Sequence, residues 1–190
     1  LIKAKRAMLV IGQGVLRGPD GGKNLNIART IAETCNMIDQ KIGWNGFNVL
    51  HTAAARVGGL DIGFVPGSAG LDLEGILNAA EIGKLDLVYL LGADELDMSR
   101  LGKTFVVYQG HHGDAGAHRA DVILPGCAYT EKSATYVNTE GRVQRTQLAT
   151  FPPGEAREDW TIIRALSSVL GNALKYNDLN NPLSTEDLFN

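Results

Sequence analysis

The chain has 190 residues, of which 44% are hydrophobic and 21% charged, the balance of one ordinary globular domain or one domain with an appendage. Its 18 basic against 21 acidic side chains leave a formal charge of -3 and a pI near 5.8, without the basic excess that a nucleic-acid binder carries. No apolar run approaches the roughly 18 residues needed to span a bilayer, and the stretch from Leu1 to Val10 lacks the anatomy of a signal peptide.

Ala7 to Ile11 (AMLVI) is a short apolar run ending in Gly-Gln-Gly, the pattern of a buried strand entering a tight turn. After a loop over Arg17 to Gly22, the spacing of Leu25, Ala28, Ile31, Ala32, Cys35 and Ile38 predicts a helix with one apolar stripe. Gly43 to Phe47 reads as a loop, and Leu50, Ala53, Ala54 and Val57 as a second helix ending near Gly58-Gly59. Beyond the breakers of Pro66 to Gly70, Leu73, Ile76, Leu77 and Ala80 outline a short helix, and Leu85 to Leu91 a strand with acid at its carboxyl end. Thr104 to Tyr108 and Asp121 to Leu124 are two more strands, and the Thr-, Val- and Tyr-rich stretch Tyr129 to Leu148 is irregular β structure. Ala156, Trp160, Ile163, Leu166 and Leu170 set the stripe of a closing helix with Glu155, Glu158 and Asp159 around its first turn. Apolar strands alternating with helices predict a Rossmann-like α/β fold, a mostly parallel sheet with helices on both faces, plus the irregular β-containing segment. One α/β domain is expected over residues 1–171, with residues 172–190 as a peripheral tail. The chain opens without methionine almost directly at a strand, so a longer polypeptide is the expected source.

Several constellations invite a chemical reading. Gly12, Gly14 and Gly18 approximate a nucleotide-binding fingerprint, but GxGxxxG departs from GxGxxG and no acid can be assigned to the end of a second strand about 20 residues on, where a ribose partner should sit. A tight turn without ligand is the better reading. His111, His112, Asp114 and His118 offer metal-competent groups, yet no helical spacing sets two imidazoles on one face, so a hydrogen-bonded polar loop is expected. Ser133 and Thr135 lie near Glu131 without a GxSxG elbow. Thr130, Glu131, Lys132, Thr139, Glu140 and Arg142 are expected to tie an irregular loop together through backbone hydrogen bonds and ion pairs. Cys35 and Cys127, far apart and without a CxxC partner, read as small buried hydrophobes and supply too few thiolates for an iron–sulfur cluster.

The run FVVYQGHHGDAGAHRADVILPGCAYTEKSATYVNTEGRVQRT, followed by PPGEAREDWTIIRALS, closely resembles the carboxyl-terminal region of the large iron–sulfur subunits of respiratory complex I, the 75 kDa subunit of mitochondria and its bacterial counterpart. The likeness is most specific from Phe105 to Gly171 and collinear from Ala4, where KAKRAMLVIGQG and LDLVYLLGADE fit the same family. That region is similar in turn to the molybdopterin oxidoreductase superfamily, whose ADVxLP segment, following glutamate and Thr-Asn-Glu turn are matched by Asp121, Pro125, Glu131, Asn138, Thr139 and Glu140. Active members use this region to help bind a pterin-guanine dinucleotide. The Gly110 to Asp114 loop, GHHGD, stands where molybdenum enzymes commonly carry a Thr-Glu-Thr pattern.

The resemblance implies a non-catalytic structural domain, with no catalytic, cofactor-binding or metal-ligating residue assigned in this chain, inside a complex that passes electrons from NADH to ubiquinone and translocates protons. The parent subunit is then expected to bind 2Fe-2S and 4Fe-4S clusters through its amino-terminal part. Expected partners are the rest of the same subunit and other peripheral-arm subunits, with no nucleic acid and no direct membrane insertion. The expected location is the matrix side of the mitochondrial inner membrane, or the cytoplasmic side of a bacterial inner membrane. A fragment of an active molybdopterin-dependent oxidoreductase is the alternative, and an autonomous dinucleotide-binding enzyme a third reading. A scaffold is further expected to keep an apolar contact surface.

Overall fold

In a computed structural model that describes residues 3–176, the apolar runs become short strands separated by helices. In chain order these are β1 (Leu9–Gly12), α1 (Gly21–Thr34), β2 (Ile38–Asp39), β3 (Trp44–Asn45), β4 (Phe47–Leu50), α2 (Arg56–Asp61) and α3 (Leu73–Glu81). There follow β5 (Leu87–Leu91), β6 (Phe105–Gly110), α4 (Ala115–Arg119), β7 (Val122–Pro125), β8 (Thr135–Val137), β9 (Val143–Arg145) and α5 (Asp159–Val169). The expected α/β class with parallel strands is what forms, with the strands distributed over separate sheets. The residues group into two compact units. Among the described residues, one takes those up to Val65 together with Thr135–Arg145; the other takes Pro66–Ala134 together with those from Thr146 onward.

In the first unit β1 and β4 pair in parallel, Leu9 opposite Phe47 and Gly12 opposite Leu50, with α1 in the connection between them. Ala7, Ala32 and Met37 form its small core, flanked by Leu9, Cys35, Ile38 and Phe47. The stripe read from the sequence overruns the helix: Ile38 lies in β2, because Asn36 adopts φ 53° and turns the chain out of the helix just after Cys35. Asparagine tolerates that left-handed conformation better than other non-glycine residues. Two further expectations fail nearby. Phe47 to Leu50 is a strand, held by its parallel partner, and the following helix runs Arg56–Asp61 straight through Gly58-Gly59 instead of ending there. Gly58 packs closely there, since a Cβ would stand 3.3 Å from Val137 Cγ2 and the valine would have to give by a few tenths of an ångström. The pair β8–β9 supplies the expected irregular β segment as a short antiparallel hairpin.

In the second unit β5, β6 and β7 form a parallel sheet in that order. Val88, Leu90, Val106 and Tyr108 point to one face and bury against Leu77 and Ala80 of α3 and Leu101 of a 3-10 turn, Met98–Leu101. Asp72 caps α3 by accepting the Gly75 N–H at 2.8 Å. Arg100 clamps the turn to that helix through Glu81 at 2.7 Å, Asn78 at 2.7 Å and Glu74 at 2.9 Å. The closing helix forms where its stripe predicts, and residues 172–176 fold back on it: Leu174 N–H donates to Ser167 Oγ at 3.0 Å, and Arg164 Nε donates to the Tyr176 carbonyl at 2.9 Å. The rest of the expected tail, 177–190, lies outside the described residues.

Candidate functional site

Polar groups collect at the carboxyl ends of the parallel strands, the end at which open α/β sheets bind ligands. In the first unit Gln13, just past β1, links its Nε2 to His51 Nδ1 at 2.9 Å and accepts the Thr52 hydroxyl at 3.0 Å, joining the ends of β1 and β4. His51 borders a cavity of about 260 Å³ that is closed on its other side by Tyr136, Asn138 and Thr139 of the hairpin. Asn138 is occupied by its own turn: its Oδ1 accepts the Glu140 N–H at 3.0 Å and the Arg142 N–H at 2.9 Å. Gly12, Gly14 and Gly18 touch nothing that a Cβ would strike. The glycine the turn requires is Gly21, where a Cβ would lie 1.9 Å from the Leu16 carbonyl oxygen. Asp20, at the amino end of α1 and paired with Lys23 at 2.8 Å, puts negative charge where a pyrophosphate would have to sit.

In the second unit two adjacent residues of β6 organise two different environments. Tyr108, 2% exposed, lies between two glycines: a Cβ on Gly110 would come within 2.3 Å of its ring, and one on Gly116 within 2.6 Å. This packing explains Gly110, the first glycine of GHHGD, and Gly116 of α4. Burial pushes the Tyr108 phenol up, reinforced by Asp114 and Asp94. Those two carboxyls hydrogen-bond each other, and that bond, aided by burial and mutual repulsion, raises Asp94 above the ordinary aspartate range. His111 and His112 are both exposed, their ring centroids 4.2 Å apart and tilted by 52°. His118 sits in the last turn of α4. The expectation that His111, His112 and Asp114 jointly hold the loop is thus corrected: the geometry brings together Asp94, Tyr108 and Asp114, while the histidines face outward.

Gln109 points to the opposite face and is wholly buried. Its Oε1 accepts the Tyr89 hydroxyl, and its Nε2 donates to Asp159 Oδ1 at 2.9 Å. The second oxygen of Asp159 pairs with Lys132 Nζ. The network is therefore closed, from Tyr89 on β5 through Gln109 to the first residue of α5. Cys127 beside it is 1% exposed, and burial, with Asp159 and Glu131 adding to it, pushes its thiol up, so it stays protonated at neutral pH. Cys127 is buried as the sequence predicts, while Cys35, expected to be buried as well, is only half-buried where it packs against the first unit's core. Glu131 Oε2 accepts the Ala128 N–H at 2.9 Å, Asp121 Oδ2 accepts the Val106 N–H at 2.8 Å, and Ser133 Oγ accepts the Leu148 N–H at 3.3 Å. Thr130 contributes its carbonyl to Ala149 at 2.9 Å. Sequence reasoning overlooks Tyr89, Gln109 and Asp159. A signal is present, because a glutamine and a tyrosine inside apolar parallel strands need buried partners.

These features define an α/β protein with its polar side chains gathered at the carboxyl ends of parallel strands. The chain belongs to the molybdopterin oxidoreductase family, whose model matches residues 1–169. It is 51% identical over 176 residues to the NADH-ubiquinone oxidoreductase 75 kDa subunit of Reclinomonas americana, covering 93% of this chain and 25% of that protein. It is 48% identical over 178 residues to the mitochondrial NADH-ubiquinone oxidoreductase 78 kDa subunit of Candida albicans, covering 93% and 23%. It is 44% identical over 168 residues to an NADH-quinone oxidoreductase subunit of the bacterium Rickettsia typhi, covering 88% and 23%. The chain thus spans about a quarter of the length of these relatives. No helix among the described residues is long and apolar enough to cross a membrane.

The donor set of this stretch does not fit the family's metal-bearing pterin. Its thiols are packed or protonated, and no group of three His, Cys, Asp or Glu side chains among the described residues converges on a common point.

Proposed function

We propose that this chain is a non-catalytic structural domain of the large iron–sulfur subunit of respiratory complex I, the assembly that transfers electrons from NADH to ubiquinone and couples this to proton translocation. One observation carries the reading: the motif residues Asp121, Glu131 and Asn138 spend side-chain oxygens on the chain's own backbone amides, those of Val106, Ala128, Glu140 and Arg142. Groups committed in this way fix strands and turns and leave little capacity to bind a substrate. The similarity to the 75 kDa and 78 kDa subunits and to the bacterial NADH-quinone oxidoreductase subunit supports the parent. On this reading the 2Fe-2S and 4Fe-4S clusters sit in the parent's amino-terminal part, outside residues 1–190, and residues 1–171 belong to its molybdopterin-oxidoreductase-like region. Partners are the rest of the same polypeptide and its peripheral-arm neighbours, on the matrix side of the mitochondrial inner membrane or the cytoplasmic side of a bacterial one. No residue of this chain is catalytic or binds a cofactor or metal.

The test is Lys132→Met in the full-length protein. Loss of its ion pair to Asp159 lowers the yield of assembled complex, while NADH-to-quinone turnover per assembled complex stays near the parent value. A hundredfold slower turnover in normally assembled complex, equivalent to about 2.7 kcal/mol of transition-state stabilisation, overturns the proposal. Elemental analysis of the purified chain is expected to show no stoichiometric iron, zinc or molybdenum.

A further inference from the structure

The sheet β5–β6–β7 is wound in one direction only. Each successive strand adds on the same side, and right-handed crossovers between parallel strands added in that sense all fall on one face. The covered face, with Val88, Leu90, Val106 and Tyr108, is that one. On the opposite face the register aligns Leu87 with Phe105 and Val107 with Val122. Leu87, Leu91, Phe105 and Val122 there remain 41 to 52% exposed. α5 reaches this face only toward the ends of β6 and β7, where Asp159 meets Gln109 and where Leu124 borders an apolar cavity of about 460 Å³ with Ile162, Leu166 and Val169.

A parallel sheet is stable in water only with both faces covered. For right-handed connections, cover on the second face comes from a strand added beyond the opposite edge, here the outer edge of β5, followed or preceded by a helix that returns across the sheet. Such crossover units are continuous with the sheet's own polypeptide. The relatives that match this chain are about four times its length. We infer that a segment of the same polypeptide outside residues 1–190 pairs a parallel strand with the outer edge of β5 and lays an apolar helix over Leu87, Leu91, Phe105 and Val122. The inference rests on the reading above that the chain is part of a longer subunit. The docking face carries no charged side chain among these four, so the covering helix presents an apolar stripe to it.

The experiment uses the full-length protein in its assembled complex. Phe105 is replaced by the photo-crosslinking residue p-benzoylphenylalanine, and Leu87→Cys is probed separately with a maleimide, both sites being read by peptide mass spectrometry. Mixing light- and heavy-isotope copies tells a crosslink within one polypeptide from one to a second copy. The expected result is a crosslink from position 105 to a peptide of the same polypeptide outside residues 1–190, with Leu87→Cys labelled only after denaturation. A crosslink to another subunit, to a second copy or to residues 1–190, no crosslink at all, or labelling as fast in the native as in the denatured state, overturns the inference. Co-migration of the unaltered protein with complex I is read alongside. Its absence removes the proposed parent, and the crosslink still decides what covers the face.

Discussion

Tyr108 and Gln109 are neighbours in one strand, and the two faces of that strand solve burial in opposite ways. Tyr108 is enclosed by apolar core and two glycine backbones, with its phenol beside two carboxyls at the rim. Gln109 is enclosed by polar groups that satisfy one another, Tyr89 on one side and Asp159 with Lys132 on the other. The first environment tolerates change in charge and not in shape. The second tolerates change in shape and not in hydrogen bonding, because a buried donor or ion left alone carries its full desolvation cost.

The largest expected effect comes from breaking the polar face. Asp159→Ala leaves the Gln109 amide only its 3.3 Å bond to the backbone carbonyl of residue 159 and strands the Lys132 ammonium, whose side chain is only 20% exposed, and is expected to cost about 3 kcal/mol. Urea unfolding of the purified chain measures this, with a lowered midpoint and an unchanged slope. Asp159→Asn keeps an acceptor for Gln109 but still leaves the Lys132 ammonium without its counter-charge, so it should lose less than Asp159→Ala only by the share of the Gln109 bond. Equal losses for the two variants would show that the Gln109 bond is not what stabilises this face.

Next comes shape on the other face. Gly116→Ala forces a methyl to within 2.6 Å of the Tyr108 ring, and such overpacking costs about 1–3 kcal/mol. If the ring is the cause, Tyr108→Leu in the same chain should make Gly116→Ala nearly neutral, a coupling that a double-mutant cycle reads directly. Additive losses would place the strain in the helix backbone instead.

Charge at the rim gives a smaller, pH-dependent effect. The bond to Asp114, burial and repulsion raise Asp94 in the folded protein, so the native state holds that proton more tightly than the unfolded one does. Stability from this group is therefore fully present below the ordinary aspartate pKa of about 3.9 and is lost as pH rises through the raised value. Asp94→Asn, which can still donate to Asp114, is expected to raise the unfolding midpoint at pH 7 and to give no gain at pH 3.5. A wild-type chain that gains stability relative to the variant as the pH rises from 3.5 to 7 would reverse the sign of the assignment.

How far the sequence reveals all this depends on the range over which each interaction acts. The strands Leu87–Leu91 and Phe105–Gly110 and the helix Asp159–Val169 are legible, because their apolar spacing is local. Phe47–Leu50 is hidden by flanking glycines and is a strand only through its pairing with Leu9–Gly12, more than 35 residues earlier. Asn36 ends a helix whose apolar stripe continues past it. The polar loop around Tyr108 to Gln144 stands out in the sequence, but its partners Tyr89, Asp94 and Asp159 come from other elements. Side-chain chemistry is written in the sequence; which side chains meet is set by topology.

The smallest effect is expected where the sequence draws most attention. His111 and His112 are both exposed, and the contact between them is the tilted approach of the two rings at 4.2 Å. Replacing either with alanine removes a solvent-facing ring contact and strands no buried group, so the change in stability should stay within about 0.5 kcal/mol. Since no electron or proton step is proposed for this loop, turnover per assembled complex should also be unchanged. Asp114→Ala differs in kind, because it removes the partner that raises Asp94 and lets that carboxyl ionise more readily. Its signature should be a flatter dependence of stability on pH, with the histidine variants keeping the wild-type profile. If a histidine variant flattened the profile as Asp114→Ala does, the imidazoles would belong to the rim cluster and its three-residue description would be too small.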